Sequence, residues 1–164
     1  MGLDVERDER FQRREWKWQR GGTILLVVVV VAALAGLLGT GPLSWTERDS
    51  PDGVVTAAFD RLTHHEADDT MTLAFGPEAV SDGTVTVELT GTWPGGVDIQ
   101  GISPQPVEQR AVPGGLVLVV AVDDVDRVDR VEVTVGFRAQ EYGPLRGEVT
   151  VAGRSVSFSQ FVLP

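Results

Sequence analysis

"WKWQRGGTILLVVVVVAALAGLLGTGPLSW", Trp16–Trp45, is the stretch whose reading decides the architecture. Three objects share its composition: a cleaved export signal, a membrane anchor, and a Val-rich core strand. No charged residue occurs between Arg20 and Glu47, and Thr23–Leu38 is almost wholly apolar. As a helix, Gly22–Leu43 covers about 30 Å, the thickness of a bilayer core. The core-strand reading fails on length, because strands usually run about 5–6 residues. In hydrocarbon, moreover, an unpaired strand leaves its peptide groups unsatisfied, so a Val run becomes helical there despite its strand propensity.

The export-signal reading fits less well than the anchor. "ALAG" at Ala33–Gly36 resembles a small-residue cleavage site, but Leu37 and Leu38 continue the apolar run past it. The preceding arm also carries five acids, unlike a short basic leader. The expectation is therefore an uncleaved transmembrane helix over 22–43.

Orientation follows from the flanks. Six basic residues precede the span (Arg7, Arg10, Arg13, Arg14, Lys17, Arg20), and Arg48 alone lies within the first fifteen residues after it. Positive-inside places the arm 1–21 in the cytoplasm and the remainder outside the cytoplasmic membrane. Trp16, Trp18 and Trp45 fit the aromatic belts at the two interfaces, and Arg13, Arg14, Lys17 and Arg20 fit anionic headgroups. Ala32, Gly36 and Thr40 form a small-residue ridge of the kind that lets helices pack closely. The partners implied are the bilayer and a second membrane protein, met through the helix or the β domain.

Residues 40–164 hold eight Arg against nineteen acids, a net charge of −11. Such a surface repels phosphate backbones, so nucleic acid is excluded as a partner. The chain has no Cys, which removes disulfides, thiolate metal sites and a Cys nucleophile.

After a polar linker expected over 44–53, short apolar runs alternate with turn formers. Val85, Val87 and Leu89 share a strand face; Gly115–Val122 is a continuous apolar run; Val131, Val133, Val135 and Phe137 share another face. Val149, Val151, Val156 and Phe158 face inward across a hairpin whose turn is expected at Gly153-Arg154. Residues 54–66 fit helix or strand, with strands near Val54–Arg61 and Thr70–Phe75 preferred. Six or seven such strands over 54–164 predict an all-β domain, an antiparallel immunoglobulin-like β-sandwich behind one transmembrane α-helix.

No catalytic set emerges. The only His, His64 and His65, precede Glu66, Asp68 and Asp69 without the spacing of a zinc motif. Asp123, Asp124, Asp126 and Asp129 lack the glycine and glutamate of a calcium loop. G-x-S-x-G, P-loop and G-x-G-x-x-G patterns are all missing, so no catalytic, metal or cofactor residue is assigned. Tyr142, beside Gly143-Pro144, suits a hydrogen-bonded corner.

"RFQRREWKWQRGGTILLVVVVVAALAGLLGTGPLS" (Arg10–Ser44), "AAFDRL" (Ala57–Leu62) and "GEVTVAGRSVSFSQFVLP" (Gly147–Pro164) resemble an uncharacterised family of bacterial single-pass membrane proteins. Its members join a basic, Trp-containing arm to one membrane helix and close on Gln-Phe-Val-x-Pro. The resemblance implies an uncleaved anchor and an outward β domain, and it brings no activity with it. The leading expectation is a non-enzymatic interaction or accessory module of a membrane assembly. Cation or small-ligand sensing is the alternative, and a carboxylate-based hydrolase stands third.

Overall fold

A computed structural model describes residues 9–34, 44–122 and 129–164, with side chains from Trp16 onward in the first segment. Helix α1 spans Glu9–Leu34. It starts well before the expected position 22, because the polar arm continues the same helix. Within it, Trp16–Leu34 is long and apolar enough to cross a membrane, and none of that window is buried in the protein. The remainder of the expected span, with Gly36 and Thr40, lies outside the described residues.

Eleven strands follow among the described residues, more than the six or seven expected. They form two facing sheets. The five-stranded sheet runs β1 (Trp45–Asp49), β2 (Val55–Asp60), β4 (Asp68–Phe75), β9 (Val131–Ala139), β6 (Val97–Ser103). The six-stranded sheet runs β3 (Leu62–His64), β11 (Arg154–Leu163), β10 (Gly143–Val151), β5 (Thr84–Gly91), β8 (Gly115–Ala121), β7 (Glu108–Val112). The molecule is a β-sandwich carrying an apolar N-terminal helix.

Alternation builds the core. Met71, Leu73 and Phe75 of β4 and Val133, Val135 and Phe137 of β9 point inward from one sheet. Val85, Val87 and Leu89 of β5 and Leu116, Leu118 and Val120 of β8 answer from the other. The ambiguous segment resolves as strand, in line with the preferred reading. The closing hairpin pairs Val151 with Arg154, so Ala152 and Gly153 form its turn, one residue earlier than expected. Both have positive φ (49° and 77°), the backbone of a two-residue turn whose twist matches its strands.

Two expectations are corrected. The sheets are not wholly antiparallel, because Leu62, Thr63 and His64 of β3 pair in parallel with Phe161, Val162 and Leu163 of β11. The reason is a sheet switch: β2 and β3 are separated only by Arg61, so one extended segment leaves the first sheet and joins the second. The supposed linker 44–53 is also part of the sandwich. Trp45–Asp49 pairs antiparallel with Thr56–Asp60 as an edge strand, and Ser50 closes the turn by donating its backbone N–H to the Val55 carbonyl (2.7 Å).

Candidate functional site

The anticipated interface residues fall on two elements. Trp16, Lys17, Trp18 and Arg20 are exposed on α1, and Arg20 lies over the Trp16 ring at 3.7 Å. Arg13 and Arg14 belong to the same helix, as does Ala32. Trp45 is different: it sits in β1 opposite Asp60, half exposed, as part of the sandwich rather than of a helix flank.

The His-acid cluster is taken apart by the fold. Asp68 receives both Nε and Nη2 of Arg138 (3.0 and 2.7 Å), which raises the guanidinium's pKa. His65 stacks on Tyr142 at 4.2 Å and places Nε2 3.2 Å from the Gln140 carbonyl. Tyr142 is therefore an exposed stacking partner, and among the described residues its hydroxyl does not form the expected corner hydrogen bond. Among the described residues no group of three His or acidic side chains could hold a metal ion. Asp123, Asp124 and Asp126 lie outside the described residues, and Asp129 is exposed.

Asp69 turns the other way. Trp93, fully buried in the single helical turn α2 (Trp93–Gly96), donates its indole N–H to Oε1 of Gln160 (3.0 Å). The Gln160 amide nitrogen donates in turn to the Asp60 carbonyl (2.8 Å) and to Oδ2 of Asp69 (3.1 Å). Burial raises the Asp69 pKa above 3.8, against hydrogen bonds from Thr70, Thr63 and Gln160 that lower it; the nearby Asp60 charge raises it further. Phe137 and Phe158 meet the Trp93 ring edge-on at 4.9 and 5.6 Å.

A groove of about 560 Å³ opens where β1 and the end of β2 face β5, β10 and β11. Its first wall follows from the β1–β2 register. Thr46 pairs with Phe59 and Arg48 with Ala57, so both share the inward face of those buried partners. Arg61, at the sheet switch, donates Nη2 to the Thr46 hydroxyl (3.1 Å) and also lines the groove. The second wall is one cross-strand row, Gly91–Gly147–Phe158.

The two glycines stand where a side chain would collide with its neighbours. A Cβ on Gly147 would lie 2.3 Å from Cζ of Phe158, and Gly91 has a φ of +106° that side chains rarely adopt. Arg146 and Glu148 flank Gly147, are exposed, and also line the groove. Phe59 and Phe158, 5.3 Å apart, form the base. Arg48 and Arg61 thus stand on one side of an aromatic base, with Arg146 and Glu148 on the other. Sequence reading missed this site because Arg48 lay in the supposed linker and no local pattern brings it to Gly147.

No family model matches the chain, and no curated protein matches it. Similar solved structures include the seventh ScaB type I cohesin of Pseudobacteroides cellulosolvens, at 6% identity and a TM-score of 0.41. The match covers 62% of this chain and 86% of that one. BslA, a bacterial hydrophobin, is similar at 10% identity and a TM-score of 0.40, over 66% of this chain and 96% of that one. Likenesses this distant bear on no function, and the sandwich rests on its own two sheets.

Proposed function

We propose that this chain is a single-pass protein of the cytoplasmic membrane of a bacterium. Its N-terminus lies inside, and an acidic, immunoglobulin-like sandwich stands outside as a non-enzymatic interaction or accessory module of a membrane assembly. The observation that carries the reading is the uncovered helix. Ile24–Val31 is exposed along its whole length, each side chain between 46% and 65%, and nothing in the described protein covers it. Ile24–Val31 is the most apolar part of the 19-residue window Trp16–Leu34, about 28 Å of helix, which is stable where hydrocarbon surrounds it. The basic arm supports the orientation through the positive-inside bias.

The lack of Cys makes the topology directly testable. Gly2→Cys and Glu108→Cys each introduce a unique thiol. A membrane-impermeant maleimide added to intact cells should label the second and spare the first; the reverse pattern would sink the orientation. Recovery from mild detergent should bring down a specific membrane partner. Repeated recovery as a lone monomer would count against the assembly role.

Small-ligand recognition is the second reading, favoured by the Arg48–Arg61 groove. Its cation arm has no support among the described residues, where no metal-binding group forms.

A further inference from the structure

The groove between β1 and the Gly91–Gly147–Phe158 row is built rather than incidental. Gly147 makes room for the Phe158 ring, which occupies the position a Gly147 side chain would need, and Gly91 lies close on the Arg146 carbonyl, so this wall is fixed by close packing. At about 560 Å³ it falls in the range of small-molecule sites. Arg61 is already oriented by its hydrogen bond to Thr46, while Arg48 forms no ion pair or side-chain hydrogen bond among the described residues.

The chemistry of the occupant follows from charge and shape. In a sandwich with nineteen acids and eight arginines, Arg48, Arg61 and Arg146 line one recess against a single acid, Glu148. The surrounding negative charge acts over a Debye length of about 8 Å at physiological salt, so contact chemistry inside the recess is set by its own lining. Guanidinium forks match carboxylate geometry and hold it bidentately. Below them, Phe59 and Phe158, packed 5.3 Å apart, offer an aromatic floor.

The geometry points to a binding site for a small organic carboxylate with an apolar or aromatic body, its carboxylate on Arg48 and Arg61 and its body on the Phe59–Phe158 floor. This rests on the small-ligand reading and is independent of the membrane tether. A nucleotide or polyphosphate would bring more charge than three arginines offset by Glu148 balance.

The test is calorimetry on the full chain in nanodiscs of zwitterionic lipid. The probes are 4-phenylbutyrate, its uncharged isostere 4-phenylbutan-1-ol, and inorganic phosphate. 4-Phenylbutyrate should bind saturably with a dissociation constant of about a millimolar, ordinary for a ligand of its size. The alcohol should bind roughly tenfold more weakly or worse, since a charge-assisted hydrogen bond is lost. Arg48→Glu should weaken the carboxylate by a similar factor while leaving the urea midpoint unchanged, because Arg48 is exposed. Arg110→Glu, on β7, should leave binding intact.

No saturable binding, equal binding of acid and alcohol, phosphate matching the carboxylate, or indifference to Arg48→Glu would each overturn the site. Failure here with correct thiol labelling would leave the tether standing. Binding with reversed labelling would do the opposite.

Discussion

The indole of Trp93 and the side-chain amide of Gln160 meet at 3.0 Å inside the core, joining a four-residue helical turn to the last strand 67 residues later. Each satisfies the other, and Gln160 then passes the network to the Asp60 carbonyl and the Asp69 carboxylate. Burying polar groups this deeply is tolerable only when every partner is present. Gln160→Leu removes three hydrogen bonds at once and leaves an indole donor unsatisfied. The variant should lose about 2–4 kcal/mol of unfolding free energy in urea titrations. Trp93→Phe combined with Gln160→Leu should cost clearly less than the two single changes added together, since the same bond is broken only once. Strict additivity would mean that the bond contributes nothing.

Asp69 and Asp52 should give pH dependences of opposite sign. Burial raises the Asp69 pKa above 3.8, so the native state holds its proton more tightly than the unfolded chain. The native state then binds more protons across that window, and stability falls as pH rises through it. The unfolding free energy of the wild type minus that of Asp69→Asn should decline from pH 3.8 upward and level off above the folded pKa. A rise with pH would overturn the assignment.

Asp52 accepts from Ser50 and from Arg154, and the pKa drops to about 2. Its stabilising contribution is complete above pH 3.8 and is lost as pH falls from 3.8 toward 2. The carboxyl carbon shift of Asp52, followed by NMR, should titrate near pH 2, and a midpoint at 3.8 or above would refute the pairing.

What could be read from sequence tracked how strongly each strand is buried. β4, β5, β8, β9 and the β10–β11 hairpin lie inside their sheets, and one-sided burial writes a period of two into Val85–Leu89 or Val131–Phe137. β1, β6 and β7 are edges, exposed on most positions, so "WTERD" and "EQRAV" carry no alternation and read as loop. β3 shows the same limit differently: three residues do not reveal that the chain has changed sheets at Arg61. Gln160 sits at an inward position of "SVSFSQFV", and alternation places it in the core. Its partner, Trp93, lies in "WPGG", which reads as a turn and is one, while carrying the core's largest side chain. The groove was illegible because its walls come from three stretches distant in sequence, β1–β2, β5 and β10–β11.

Gly147 should tolerate no side chain. A Cβ there would meet Cζ of Phe158 at 2.3 Å, and that ring is held between Phe59 at 5.3 Å and Trp93 at 5.6 Å, so it has little room to retreat. Gly147→Ala should destabilise the sandwich by about 1–3 kcal/mol, the usual range for overpacking a dense core. Pairing it with Phe158→Leu, which vacates the space, should recover part of that loss relative to Phe158→Leu alone. Urea midpoints of the four proteins check both statements, and a neutral Gly147→Ala would show that the ring is not confined.

The helix should respond to charge at its centre far more than at its ends. Val28 is one of eight consecutive exposed apolar residues, with nothing in the described protein to shelter a cation. An Arg at mid-bilayer costs about 2.5–3.5 kcal/mol on insertion scales, whereas the same residue near an interface lets its guanidinium reach the headgroups. Val28→Arg should therefore shift a large share of the protein out of the alkali-washed membrane fraction, and Gln19→Arg should leave it there. Retention of both variants after washing would mean that something other than hydrocarbon covers this helix. A partner protein with an acidic groove would then be the first candidate, because it could hold an added Arg that lipid rejects.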